Sequence, residues 1–253
     1  MLVGEERDLE EKRASFFCLK ESNGEVVWAH RSYGDWWWTG IEGAAGGVLY
    51  VHGFATPSLP VHRGVIAVDI ATGTRLWENG AVRFIRAEGT RVTVEAHGAA
   101  GSTLQELDSR TGQMAGDDPQ GVSAISPRKS AGPHFSDVVA PSSVDSWESV
   151  SADARKVLAE HAGADAQNPE FLIDAGCMVF TFLGSIGRGG AEESVGGRTL
   201  LVIDLATGRA LYRDALQPRD FRTSAQTFFV RNHLLLYVKD RATIVAVRLF
   251  PEG

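Results

Sequence analysis

At 253 residues, 43% hydrophobic and 23% charged, the chain has an ordinary globular composition and enough length to bury a substantial core. A net charge of −7 excludes a general nucleic-acid surface, which needs clustered Lys and Arg. No apolar run approaches the roughly 18 residues of a membrane span, and no basic-then-apolar leader opens the N-terminus, so a cytoplasmic protein is expected.

In chain order, Leu2–Glu6 reads as a first strand, followed by an acidic hairpin containing Glu5, Glu6, Asp8, Glu10 and Glu11 interrupted by Arg7. Ser15–Leu19 is a second strand, which passes through a turn at Gly24 into Val26-Val27-Trp28. Next come three consecutive tryptophans, Trp36, Trp37 and Trp38, and an outer strand near 36–41. Gly47–His52 predicts a strand, and 53–60 reads as a loop flanked by His52 and His62. Gly64–Asp69, a turn closing at Gly73, and Thr74–Trp77 predict a hairpin. Strands are expected near Val82–Arg86, Thr90–Glu95 and Thr103–Leu107, then after a long gap at Met178–Leu183, Thr199–Ile203, Ala210–Tyr212, Thr227–Val230, Leu234–Lys239 and Thr243–Leu249. Cys18 and Cys177 stand alone in apolar runs and read as small buried hydrophobes, with no CxxC spacing.

One pattern repeats through this order. Asp69, Gly73 and Trp77 recur as Asp108 and Gly112, as Asp204, Gly208 and Tyr212, and as Gly24 and Trp28. The aspartates are suited to accept hydrogen bonds from turn amides, and the glycines to supply a positive φ. The turn glycines are 49, 39 and 96 residues apart. With a strand before each copy, this is the spacing of propeller blades. The expected fold is a single all-β domain over 1–253, a small β-propeller of about five blades with at least one incomplete. An insertion over 117–167 is expected to carry a short helix at about 151–161, where a capping serine precedes strong helix formers.

The Asp-x-x-Thr-Gly-x-x-Leu-Trp run of Asp69–Trp77, echoed by Gly24–Trp28, resembles the repeat of quinoprotein-like (pyrroloquinoline-quinone-type) propellers. The resemblance implies that Trp28, Trp77 and, by substitution, Tyr212 dock neighbouring blades. It implies no cofactor here, because the quinoprotein enzymes are longer, have more blades, and commonly carry adjacent cysteines that this chain lacks. The chain also resembles an uncharacterised bacterial family of domains of unknown function, in Glu5-Glu6-Arg7-Asp8, in the Trp36-Trp37 pair, and in Pro60-x-His62-x-Gly64. That likeness implies no activity.

Candidate chemistry is sparse. The seven histidines show no HxH or HExxH spacing, and a zinc site at His52 and His62 needs two further ligands that nothing in the sequence indicates, so no metal is expected. Gly184–Gly190 lacks the Lys-Ser/Thr ending of a phosphate loop, and no GxSxG elbow occurs. The candidate ligand-binding residues are Glu5, Arg7, Trp36, Trp37, Trp38, Glu42, His52 and His62, with paired carboxylates and exposed aromatics also explicable as solvated charge and packing.

The first functional reading is a non-enzymatic propeller binding a protein partner or small ligand on the loops Asp8–Arg13, Phe54–Arg63, Ala96–Ser102 and Ser185–Arg198. A second is a hydrolase or lyase using Glu5, Glu42 and Glu95 in a central channel. A third is self-association into a homo-oligomer through an unpaired edge of the last unit.

Overall fold

A computed structural model of the chain describes residues 1–34, 37–56, 59–98, 101–115, 138–143, 155–156, 160–161, 167–184, 197–218, 227–240 and 242–249. Among them nineteen strands form five antiparallel sheets. The chain divides into two compact units, Met1–His134 and Phe135–Gly253.

The first unit holds three sheets in chain order. Strands β1 (Leu2–Asp8), β2 (Arg13–Leu19) and β3 (Val26–Arg31) make the first, and β4 (Thr39–Ala45), β5 (Val48–Thr56), β6 (Leu59–Asp69) and β7 (Arg75–Asn79) the second. The third has β8 (Val82–Glu88), β9 (Arg91–Gly98) and β10 (Gly101–Asp108). The second sheet is buried on both faces. Leu49, Val51, Ile66 and Val68 meet Phe16, Cys18 and Trp28 of the first sheet, while Val48, Tyr50, Val65 and Ala67 meet Val82, Val92 and Val94 of the third. Residues two apart on a strand share a face, so the unbroken apolar runs of β5 and β6 feed two cores at once.

In the second unit, β12 (Ser142–Ser143), β13 (Gln167–Asp174), β14 (Cys177–Gly184), β15 (Gly197–Asp204) and β16 (Ala210–Pro218) form one sheet in that order. The other runs β11 (Val138–Val139), β17 (Phe228–Arg231), β18 (Leu234–Lys239) and β19 (Thr243–Arg248). Val179, Leu200 and Val202 pack with Phe228, Val230, Leu235 and Tyr237. Cys18 and Cys177 are free and buried, and burial pushes both thiols up.

The helical insertion expected over 117–167 needs correction. The described part of that range contributes β11 and β12, which pair with β17 and β13. Sheet edges leave backbone N–H and C=O groups without partners, and two short extended segments satisfy them here. Of the expected helix, residues 155–156 and 160–161 are described, with helical backbone, and no helical element stands among the described residues. The expected loop 53–60 is largely strand, since β5 runs to Thr56 and pairs there with Leu59. No helix among the described residues is long and apolar enough to cross a membrane.

The recurring turn has one geometry. The Gly73 N–H donates to the Asp69 carbonyl at 2.8 Å, the Gly112 N–H to Asp108 at 2.9 Å, and the Gly208 N–H to Asp204 at 2.8 Å. In the first copy the Gly24 N–H donates to Lys20, so a lysine stands where the other turns have aspartate. Each aspartate side chain caps its own turn: Asp69 Oδ1 accepts from the Thr72 N–H, Asp108 Oδ1 from the Thr111 N–H, and Asp204 Oδ1 from the Ala206 N–H. The Arg110 guanidinium on Asp69, the Thr111 hydroxyl and amide on Asp108, and the Ala206 amide on Asp204 hold the three carboxyls below the usual range.

Two of the turn glycines also seat a tryptophan. The Trp28 indole N–H donates to the Ile70 carbonyl at 2.8 Å, and a Cβ on Gly73 would lie 2.8 Å from Trp28 Cδ2. The Trp77 N–H donates to the Ser109 carbonyl at 2.9 Å, and a Cβ on Gly112 would lie 2.7 Å from Trp77 Cδ2. Gly208 has a similar positive φ of 69° with nothing near. Replacing Gly208 with Ala is therefore predicted to cost only the left-handed strain, roughly 1–2 kcal/mol. Gly73→Ala and Gly112→Ala are predicted to cost roughly 1–3 kcal/mol more through overpacking against the indole. Urea denaturation midpoints of the three variants check the ranking.

Candidate functional site

One cluster draws on four strands. Glu5 and Arg7 are two apart on β1 and thus share a face. They form an ion pair, and the guanidinium also donates to the carbonyls of Trp37 (2.9 Å) and Thr39 (2.7 Å). The Arg7 guanidinium lies over the Trp37 ring, 5.2 Å from its centroid. Glu5 Oε2 accepts from the Ile41 N–H at 3.2 Å. Arg7 and Glu5 thereby fix the approach to β4, the strand that carries Glu42.

Glu42 owes its position to a bulge. Ile41 pairs with Val51 and Gly43 with Tyr50, leaving Glu42 as the extra residue on β4. A second irregularity lies between β5 and β6: Val51 pairs with Ile66 and Gly53 with Arg63, so His52 alone faces Gly64 and Val65. Gly64 takes φ +81° there. His62 is the ladder partner of position 54, two residues from His52, so the two histidines are diagonal neighbours on one face.

The result is compact. His62 Nδ1 lies 2.8 Å and His52 Nδ1 3.4 Å from the same Glu42 Oε1. The two imidazoles stack, with centroids 3.6 Å apart and planes 9° from parallel. Each of the three residues offers a ligating atom within 4.8 Å of the others. Gly40 makes room, because a Cβ there would lie 2.9 Å from His52 Cε1 and 3.4 Å from Glu5 Oε2. His52 is buried while the His62 side chain is 40% exposed. Burial first, then the neighbouring His62 and Arg7, push the His52 imidazole down to about 4, so it is neutral near pH 7.

Of the eight sequence candidates, Glu5, Arg7, Trp37, Glu42, His52 and His62 come together. Trp38 is half-buried beside them in the chain, and Trp36 lies outside the described residues. Glu95, the third carboxylate of the channel reading, is engaged by Arg83 at 2.7 Å on the third sheet. Most of the loop Ser185–Arg198, including much of Gly184–Gly190, lies outside the described residues. Of the other described histidines, His97 lies 3.9 Å from Glu95, His161 contacts the Gly208 carbonyl and His233 contacts Asp174.

A second polar group escaped the sequence reading. Arg198 Nη1 donates to Glu170 (3.1 Å) and Thr181 (2.9 Å), and the Thr227 hydroxyl donates to Glu170 at 2.7 Å, all four groups being buried or half-buried. The repeat itself contains a signal that finds it. The amide after each turn aspartate donates to a carbonyl before the preceding strand: Ile70 to Gly47, Ser109 to Thr90, and Leu205 to Gly176. Five residues beyond those carbonyls stand His52, Glu95 and Thr181, so Thr181 occupies the repeat position of His52.

Residues 1–77 match the family model described as "Domain of unknown function (DUF4905)", a stretch that contains every residue of the Glu42–His52–His62 cluster and its Glu5–Arg7 support. No curated protein matches the chain. Among solved structures, one titled "Crystal structure of the eukaryotic initiation factor" aligns over 97% of this chain at 10% identity and a TM-score of 0.27. The present chain spans 59% of that chain's length.

The buried imidazole sets a pH dependence. An unfolded histidine takes up its proton near pH 6.5, whereas folded His52 resists until about 4. Its contribution to stability is thus complete above about pH 6.5 and lost as pH falls from there toward 4. In chelator-treated protein, the thermal midpoint should drop through that window, and His52→Gln should flatten that part of the curve.

Proposed function

We propose that the chain is a non-catalytic binding module, a small β-propeller of about five blades with quinoprotein-like repeats, that holds a small cationic ligand at Glu42, His52 and His62. The convergence of these three side chains from adjacent strands β4, β5 and β6 carries the reading. Two carboxylates, one guanidinium and two imidazoles leave the cluster with a net negative charge when the histidines are neutral, which favours a cation over an anion. The propeller architecture is supported by five successive antiparallel sheets, by one turn geometry in four of them, and by indole docking between neighbours in the first unit. The reading includes a bacterial, cytoplasmic setting, and the acidic composition accords with the absence of nucleic-acid partners.

A second reading, a hydrolase or lyase, is favoured by one observation. Glu42 and His62 lie within hydrogen-bond reach of each other, the pairing that general acid–base chemistry uses. With Glu95 committed to Arg83 and Glu5 to Arg7, the carboxylate open to that reading is Glu42.

Native mass spectrometry of the purified chain tests the binding module and counts subunits in the same spectrum. The expected species carries a non-covalent adduct that is absent from the Glu42→Ala/His62→Ala double variant. An adduct-free parent whose thermal midpoint is unmoved by a panel of inorganic and organic cations would overturn the reading.

A further inference from the structure

Building on that reading, we infer that Glu42, His52 and His62 form a mononuclear site for a divalent transition-metal ion of the zinc class, with an open coordination position. One carboxylate oxygen and two imidazole nitrogens are the donor set these ions favour, and three protein ligands leave at least one position for water or a small ligand. The spacing fits. With metal–ligand bonds of about 2.0–2.1 Å, ligand atoms on one metal stand about 2.9 Å apart in an octahedron and about 3.4 Å apart in a tetrahedron. The observed separations from Glu42 Oε1 to the two Nδ1 atoms are 2.8 Å and 3.4 Å.

The surroundings suit a cation as well. His52 is buried, with its Nδ1 3.4 Å from Glu42 Oε1, so a ligand nitrogen is already held beside the carboxylate in a site shielded from water. The nearby Arg7 guanidinium is compensated by its ion pair with Glu5. Gly40 gives His52 room where any side chain would crowd the ring. The imidazoles stack face to face, 3.6 Å apart in planes 9° from parallel, so both rings border the same space beside Glu42. His62, with a side chain 40% exposed, is the ring with more room to turn toward an ion.

The repeat supports a special role for this sheet. Glu95 is paired across its ladder with Arg83, and Thr181 with Glu170, so each polar residue faces a charged one directly. The residue facing His52 is Gly40. In the second sheet the charge comes instead from the bulged Glu42, which meets two histidines in place of a salt-bridge partner.

Zn²⁺ competition against a chromophoric chelator, on protein first stripped with EDTA, tests the inference, with Co²⁺ substitution reporting geometry. One equivalent of Zn²⁺ per chain is expected, and Co²⁺ should give visible d–d bands. Glu42→Gln and His62→Ala should each weaken Zn²⁺ by more than the roughly 10–100-fold typical of losing an outer-shell partner. His97→Ala, an exposed histidine on the third sheet, should leave affinity unchanged. Thermal melts without metal establish that each variant folds. Failure of the parent to take up stoichiometric Zn²⁺, or uptake indifferent to both cluster variants, sinks the metal site. A Glu42- and His62-dependent organic adduct in the mass spectrum would then still support the binding module, while loss of both signals would reject the two readings together.

Discussion

The first unit depends on an indole resting on a glycine. Trp28 leaves the first sheet and settles on Gly73 of the second; Trp77 leaves the second and settles on Gly112 of the third. Each contact combines a large apolar surface with one directional bond, from the indole N–H to the carbonyl just after the turn aspartate. A flat ring fixed at both its face and its edge sets the position of one sheet against the next. The glycine satisfies two demands, the positive φ of the turn and the absence of a Cβ beneath the ring. Alanine would meet neither. The second unit solves the same problem differently. Tyr212, at the tryptophan position, joins its hydroxyl to Tyr237 of the neighbouring sheet, and Tyr237 bonds to Asp214, which also holds Lys239. No ring needs to lie on Gly208, which has open space above it.

With the sheets fixed in this way, the second is enclosed on both faces and its strand ends become the place where polar groups can gather. Within the ladder, β5 alternates between two dry cores and offers no room for charge. Toward its end the regular pairing gives way to irregularities, and one with each neighbouring strand falls next to or at His52. An extra residue in a strand re-aims the side chains around it, and here the extra residue is the carboxylate. The Glu5–Arg7 pair reaches across from the first sheet to hold the main chain entering β4, so the cluster is braced by the same neighbouring sheet that supplies Trp28.

How much of this could be read from sequence follows from the range of each interaction. Turns were legible because Asp69, Gly73 and Trp77 lie within nine residues of each other and encode their geometry locally. Most strand positions were legible for the same reason. Residues 53–60 misled, because Gly and Pro signal a loop while the pairing that extends β5 to Thr56 is set by the partner strand. The short edge strands β11 and β12 were hidden, since two-residue segments are defined by the sheet edge they complete and have no pattern of their own. Glu42, His52 and His62 stood out individually, but their meeting depends on bulges. A bulge is invisible to period counting, as it is the place where the period fails.

The repeat, once its register is known, turns that blind spot into an argument. Glu5, His52, Glu95 and Thr181 occupy one position in four sheets, and each is polar. A polar group at a strand end beside a buried core needs a partner, and three of the four have found an arginine: Arg7, Arg83 and Arg198. Such pairs match acceptor to donor. His52 departs from the pattern. Opposite it stands a glycine where the third and fourth sheets place Arg83 and Glu170, and the groups around it are a carboxylate and a second histidine. Two imidazoles and one carboxylate do not neutralise one another as an ion pair does. Their lone pairs are what a cation requires, so the sheet that breaks the arginine rule is the one whose chemistry points outward from the fold.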